Sequence, residues 1–141
     1  MTMSLEESIQ QFFTSPAYAV VGASTRRTKF GSKVLRCYMQ HQKRVFPVNP
    51  GDNMIEGLPC AHRVKDLPAM VQSISIVTPP SISEQVVVEA VRKGIKNIWL
   101  QPGAETAVAV DYAKRHGVNI IAGGPCILAT LGFKDYERVT L

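Results

Sequence analysis

The 141-residue chain has few of the features that mark membrane, disulfide-bonded or metal-binding proteins. No apolar run approaches the roughly 20 residues that span a bilayer. Met1 to Gln11 holds Glu6 and Glu7 and no basic stretch, so it does not read as a secretory leader. Cysteine is scarce: Cys37, Cys60 and Cys126 are far apart, odd in number and form no CxxC pair. That spacing argues against a disulfide framework and against a zinc site. The histidines, His41, His62 and His116, are equally scattered. Aromatic residues make up only 7% and do not interleave with Lys and Arg, so a stacking platform for single-stranded nucleic acid is not expected. Low-complexity segments, linkers and internal repeats are lacking as well. HExxH, a Ser/His/Asp order and carboxylates paired for acid–base work are absent too.

What is present suits one soluble, intracellular, cytoplasmic domain. Hydrophobic residues make up 45% and charged residues 19%, enough for a core and too few charges for disorder. The net charge of +5 favours anionic partners. Part of the excess is concentrated, with Arg26, Arg27, Lys29 and Lys33 following one glycine.

Short apolar runs alternate with helical patterns. Strands are expected at Ala17 to Gly22, Arg44 to Asn49, Ser75 to Thr78, Asn97 to Leu100 and Val118 to Ala122. Pro47 is awkward inside the second, because proline donates no ladder bond. Phe30, Val34, Leu35, Tyr38 and Met39 lie on one face of a helix over Phe30 to His41. A short helix is expected within Val64 to Val71, capped by Asp66. Ser81 and Glu84 have capping-box spacing for a helix over Ile82 to Lys93 that ends at Gly94. A further helix runs from Glu105 to His116. Strands alternating with helices predict an α/β fold: a single doubly wound, mostly parallel sheet of about five strands with helices on both faces, Rossmann-like.

Such sheets bind ligands at the carboxyl ends of their strands. The Gly and Pro clusters of this chain fall there: Gly22-Ala23-Ser24, Asn49-Pro50-Gly51, Thr78-Pro79-Pro80, Gln101-Pro102-Gly103 and Gly123-Gly124-Pro125. Gly22 permits a sharp turn and close ligand approach. Gly31 opens the next helix, whose positive end favours an anion. Ser24, Thr25 and Thr28 add hydroxyls; Arg26, Arg27 and Lys29 add charge. Together they describe a phosphate or diphosphate site, although neither GxGxxG nor GxxxxGK[ST] is present. An NAD-binding protein places an acid about 20 residues beyond its glycines. Here Val48-Asn49-Pro50 stands at the second strand's end, which suits a ligand with an added ribose phosphate, such as NADP or coenzyme A. Thr78, Pro79 and Pro80 would wall the crevice, and Gln101 offers an amide at the next strand end. Cys126 presents a thiol that could meet a ligand's own thiol or simply fill space in the core.

At these loops the sequence resembles the CoA-binding domain family, small stand-alone proteins related to the N-terminal domain of the succinyl-CoA synthetase alpha subunit. The matching stretches are VVGAS (Val20 to Ser24), VNPG (Val48 to Gly51), EGLPCAHRVKDLP (Glu56 to Pro68), IVTPP (Ile76 to Pro80), EAVRKGIKNIWLQPG (Glu89 to Gly103) and HGVNIIAGGPC (His116 to Cys126). The resemblance implies coenzyme A across the strand ends. Gly22, Ala23, Ser24 and Lys29 would hold phosphate or adenosine, Asn49 and Pro50 would flank the nucleotide, and Thr78, Pro79 and Pro80 would line the pantetheine path. Gln101 would close the site. The ligases' catalytic histidine belongs to a second domain, so a non-catalytic binding or regulatory module is expected. Stand-alone relatives carry a charged Cys-Pro turn followed by an acid; here Pro125-Cys126 precedes Ile127-Leu128-Ala129. The alternatives are an NADP-binding protein or oxidoreductase and a basic nucleic-acid-binding protein. The expected partner is a small-molecule cofactor, not a membrane; a homodimer is the default assembly, and an unidentified protein partner stays open.

Overall fold

The structure is a computed structural model and describes residues 2–135. The chain runs α1 (Leu5–Phe12), β1 (Ala17–Val21), α2 (Phe30–Gln40), β2 (Val45–Val48), a hairpin of β3 (Met54–Ile55) and β4 (Leu58–Pro59), and a 3-10 turn (Val64–Asp66). It continues through β5 (Val71–Ile76), α3 (Pro80–Lys93), β6 (Asn97–Leu100), α4 (Ala107–Arg115), β7 (Asn119–Ile121) and α5 (Ile127–Leu131). Five parallel strands make one sheet in the order β2-β1-β5-β6-β7. The order reverses between β1 and β5, which is the switch point where doubly wound sheets take their ligands.

Both faces of the sheet are covered. Ala17, Ala19 and Val21 of β1 pack with Val87 and Ala90 of α3 and Ala109 and Ala113 of α4. Tyr18 and Val20 point the other way, among Phe12 of α1, Leu35 and Tyr38 of α2 and Ile127 of α5. The alternation follows from the period-two geometry of a strand. Trp99 is fully buried in the second cluster, edge-on to Phe12 at 5.3 Å. The expected α/β sheet with helices on both faces is therefore what forms.

Four local expectations change. β5 begins at Val71, four residues before the expected Ser75, because its polar side chains are satisfied internally. Ser73 Oγ donates to the Phe12 carbonyl at 2.7 Å and accepts from Asn97 Nδ2 at 3.0 Å. Asn119 Nδ2, half-buried, extends the row to Asn97 Oδ1 at 3.1 Å, so Ser73, Asn97 and Asn119 form a polar ladder in register across three strands. α3 starts at Pro80 with Pro79 as its cap residue, so the Ser81–Glu84 capping box is not used. Proline at the first helical position already has the required φ and needs no donor there. Asp66 ends the 3-10 turn instead of capping a helix. α1, with a Ser4–Glu7 capping box, and α5 were not foreseen. Pro47 is tolerated because β2 is the sheet's edge strand. Among the described residues, no helix is long and apolar enough to cross a membrane.

Candidate functional site

The loop after β1 turns on Gly22, at φ +92°. A Cβ there would lie 2.1 Å from the Val77 carbonyl oxygen and 3.1 Å from the Thr78 methyl. Gly31, in the first turn of α2, is placed just as closely: a Cβ on it would lie 2.0 Å from the Gly22 carbonyl oxygen. The two glycines let the start of α2 press onto the switch point. That end of α2 has no acidic residue in its first turn and no side-chain cap, so its positive dipole end is unopposed locally.

Other side chains hold the loop's shape. Ser24 Oγ accepts from the Arg26 backbone N–H at 3.0 Å. Asn49, after β2, donates Nδ2–H to the Ala23 carbonyl at 2.8 Å and accepts from the Gly51 N–H at 2.8 Å. A carboxylate at position 49 has no proton to give the Ala23 carbonyl, so the amide has a structural reason to replace the usual NAD-type acid. Arg36 is buried; its guanidinium donates to the Arg27 carbonyl at 2.6 Å, Ser32 Oγ at 3.2 Å and Asp135 Oδ1 at 3.1 Å. Arg27 itself reaches Glu56 at 3.8 Å. Thr25, Arg26 and Lys29 are exposed on the same loop.

A groove of about 430 Å³ opens at the switch point, with Gly22, Pro50 and Thr78 in its lining. Its opposite wall was not foreseen. It comes from His62 and Arg63, after the hairpin, and from Ile82, Gln85 and Glu89 of α3. The spacing of those three is i, i+3, i+7, a helix face that the sequence displayed without any sign that it borders a ligand cleft. Arg63 pairs with Glu89 at 2.6 Å. Partial burial works against the Glu89 carboxylate, but hydrogen bonds from Arg63 and from the Lys65 and Val64 backbones outweigh it and hold its pKa below the ordinary value.

Four expected residues lie outside the groove's lining. Pro79 and Pro80 are exposed and do not line the groove, because they begin α3; Ile82 supplies the apolar wall instead. Gln101 is fully buried, with Nε2 at 3.5 Å from Ser75 Oγ and Oε1 accepting from the Ile127 N–H at 3.0 Å. Its amide is thus spent joining β5, β6 and α5 and does not close the crevice. Cys126 is half-buried at the start of α5, after β7, and is not among the residues that line the groove. Cys37 is buried beside α5, and burial, with a smaller effect from Cys126, pushes its pKa up to about 11. It is an inert thiol at neutral pH.

A sequence model of one family, described as a CoA binding domain, matches residues 16–131, most of the chain. The chain belongs to the CoA-binding domain family. Among similar solved structures is a conserved hypothetical protein from Pyrococcus furiosus, 38% identical, with a TM-score of 0.78 over 81% of this chain and 97% of that one. A hypothetical protein from Pyrococcus horikoshii superposes with a TM-score of 0.83 at 25% identity, over 96% of this chain and 92% of that one. Among curated relatives, the alpha subunit of ADP-forming acetate–CoA ligase II from Pyrococcus furiosus is 28% identical over 130 residues, covering 84% of this chain. The chain spans only 28% of that subunit's length, and 18% of the related Archaeoglobus fulgidus ligase. The expected kinship with the CoA ligases' binding domain holds for this chain.

Proposed function

We propose that this domain binds coenzyme A, free or acylated, at the carboxyl ends of β1, β2 and β5, and serves as a binding or regulatory module. One observation carries the reading: α2 begins in van der Waals contact with the Gly22 turn, beside the groove at the switch point. A diphosphate there meets backbone N–H groups and the helix's positive end, with Arg26 and Lys29 close in sequence. Membership of the CoA-binding domain family supports coenzyme A as the ligand. Asn49, in place of a ribose-binding acid, disfavours NAD and leaves NADP as the second reading. The groove's lining is mainly aliphatic, with the Arg63–Glu89 pair, the Gln85 amide, Thr78 and His62 as its polar groups.

Thermal unfolding with CoA, NAD and NADP tests this. A ligand present at 100 times its dissociation constant adds about 2.7 kcal/mol to stability. CoA is expected to raise the midpoint and NAD to leave it in place. No shift with millimolar CoA overturns the proposal, and a shift with NADP alone replaces it with the second reading.

A further inference from the structure

We infer that Arg63 reads a phosphate on the ribose of the bound nucleotide, so that the groove selects adenine nucleotides carrying charge at both ends. This rests on the proposed nucleotide site. Of the described residues lining the groove, Arg63 alone carries a fixed positive charge. The loop after β2, where a ribose phosphate would first be sought, offers Asn49, Pro50, Gly51, Asp52 and Asn53 and no cation. Arg26 and Lys29 are exposed on the β1–α2 loop, which begins at Gly22 in the groove's lining, whereas Arg63 belongs to the segment after the hairpin. Two separate segments next to a mainly apolar slot therefore carry cations. A diphosphate at one and a ribose phosphate at the other is the ligand that pattern takes.

The surroundings of Arg63 favour this role. Its guanidinium is held at one edge by Glu89, and its side chain is 58% exposed, leaving other donors of the five-donor fork for an anion. Beyond Arg63 the groove adjoins a second cavity of about 740 Å³, whose lining includes Lys65, Arg92 and Lys93. Against these four cations stand Glu89 and the nearby Asp66. The local field stays positive, and Lys93 Nζ braces the Lys65 carbonyl at 3.1 Å, tying α3 to the segment that bears Arg63.

The test is calorimetric titration of CoA, dephospho-CoA, NADP and NAD into the wild-type domain, Arg63→Gln and Arg115→Gln. Arg115 sits on α4 in an exposed pair with Asp111, so its replacement removes the same charge far from the groove. Arg63 is exposed enough that its loss leaves the fold intact. Wild type is expected to bind CoA at least about tenfold more tightly than dephospho-CoA. Arg63→Gln should bring that ratio close to one by weakening CoA alone, and Arg115→Gln should leave it unchanged. A parallel effect on NADP against NAD marks the phosphate itself as the feature read; an effect confined to CoA assigns it to the 3′ position. Wild-type binding of CoA without discrimination overturns the inference and spares the proposed function, as does an unchanged ratio in Arg63→Gln or an equal loss in Arg115→Gln. Absence of any CoA binding to wild type overturns both.

Discussion

Gly22→Ala is expected to remove about 3–5 kcal/mol of stability, enough to unfold much of the protein. Two costs combine. The residue sits at φ +92°, where an L side chain is strained, and the new Cβ would lie 2.1 Å from the Val77 oxygen and 2.8 Å from its carbonyl carbon. That carbonyl cannot retreat easily, since the Val77 N–H is bonded to the Val21 carbonyl at 2.8 Å and the segment leads directly into α3. Gly57→Ala is the control: φ is +77° there, but nothing lies within 4 Å of the added carbon. It should cost about 1 kcal/mol, the conformational part alone. Denaturant unfolding of both variants measures the difference. Equal losses would mean that close approach at the switch point is not what demands the glycine.

The second large effect is expected from Arg36→Leu, at about 2–4 kcal/mol, with weaker ligand binding in whatever protein stays folded. Arg36 is 4% exposed and holds three pieces of chain at once: the Arg27 carbonyl of the β1–α2 loop, Ser32 of its own helix, and Asp135. Leucine fills the space but removes the Arg36 hydrogen bonds to the Arg27 carbonyl and the Asp135 carboxylate. Asp135 is one-third exposed, which keeps the figure below that for a fully buried pair. Arg36→Lys retains the charge but loses the fork, so it should recover part of the stability and little of the loop's order. Urea midpoints and CoA affinity, measured together, check this. A stable Arg36→Leu protein with unchanged affinity would show that Arg36 is not what holds the loop.

The sheet and its helices could be read in the sequence because strand-end glycines and two-sided apolar strands leave plain patterns. Gly22, Ser24, Asn49, Pro50 and Thr78 sit at strand ends, as the spacing indicated. The first half of β5 was hidden by Gln72 and Ser73, whose polarity imitates a loop until the Phe12 carbonyl and Asn97 satisfy the serine. Gln101 was misplaced for the same reason in reverse: a strand-end amide looks available until the unforeseen α5 folds back and consumes it. The groove's far wall was invisible because Arg63 and Glu89 are 26 positions apart and meet only when the hairpin segment packs on α3. Local periodicity cannot report such a pairing.

The most direct measurement is amide chemical-shift mapping of the folded domain during a CoA titration. The account predicts that the largest changes fall at Gly22 to Gly31, at Asn49 to Gly51 and around Arg63 and Thr78, with β7 and α4 undisturbed. Changes centred on Gly123 to Cys126 or on α4, or none at saturating CoA, would contradict it.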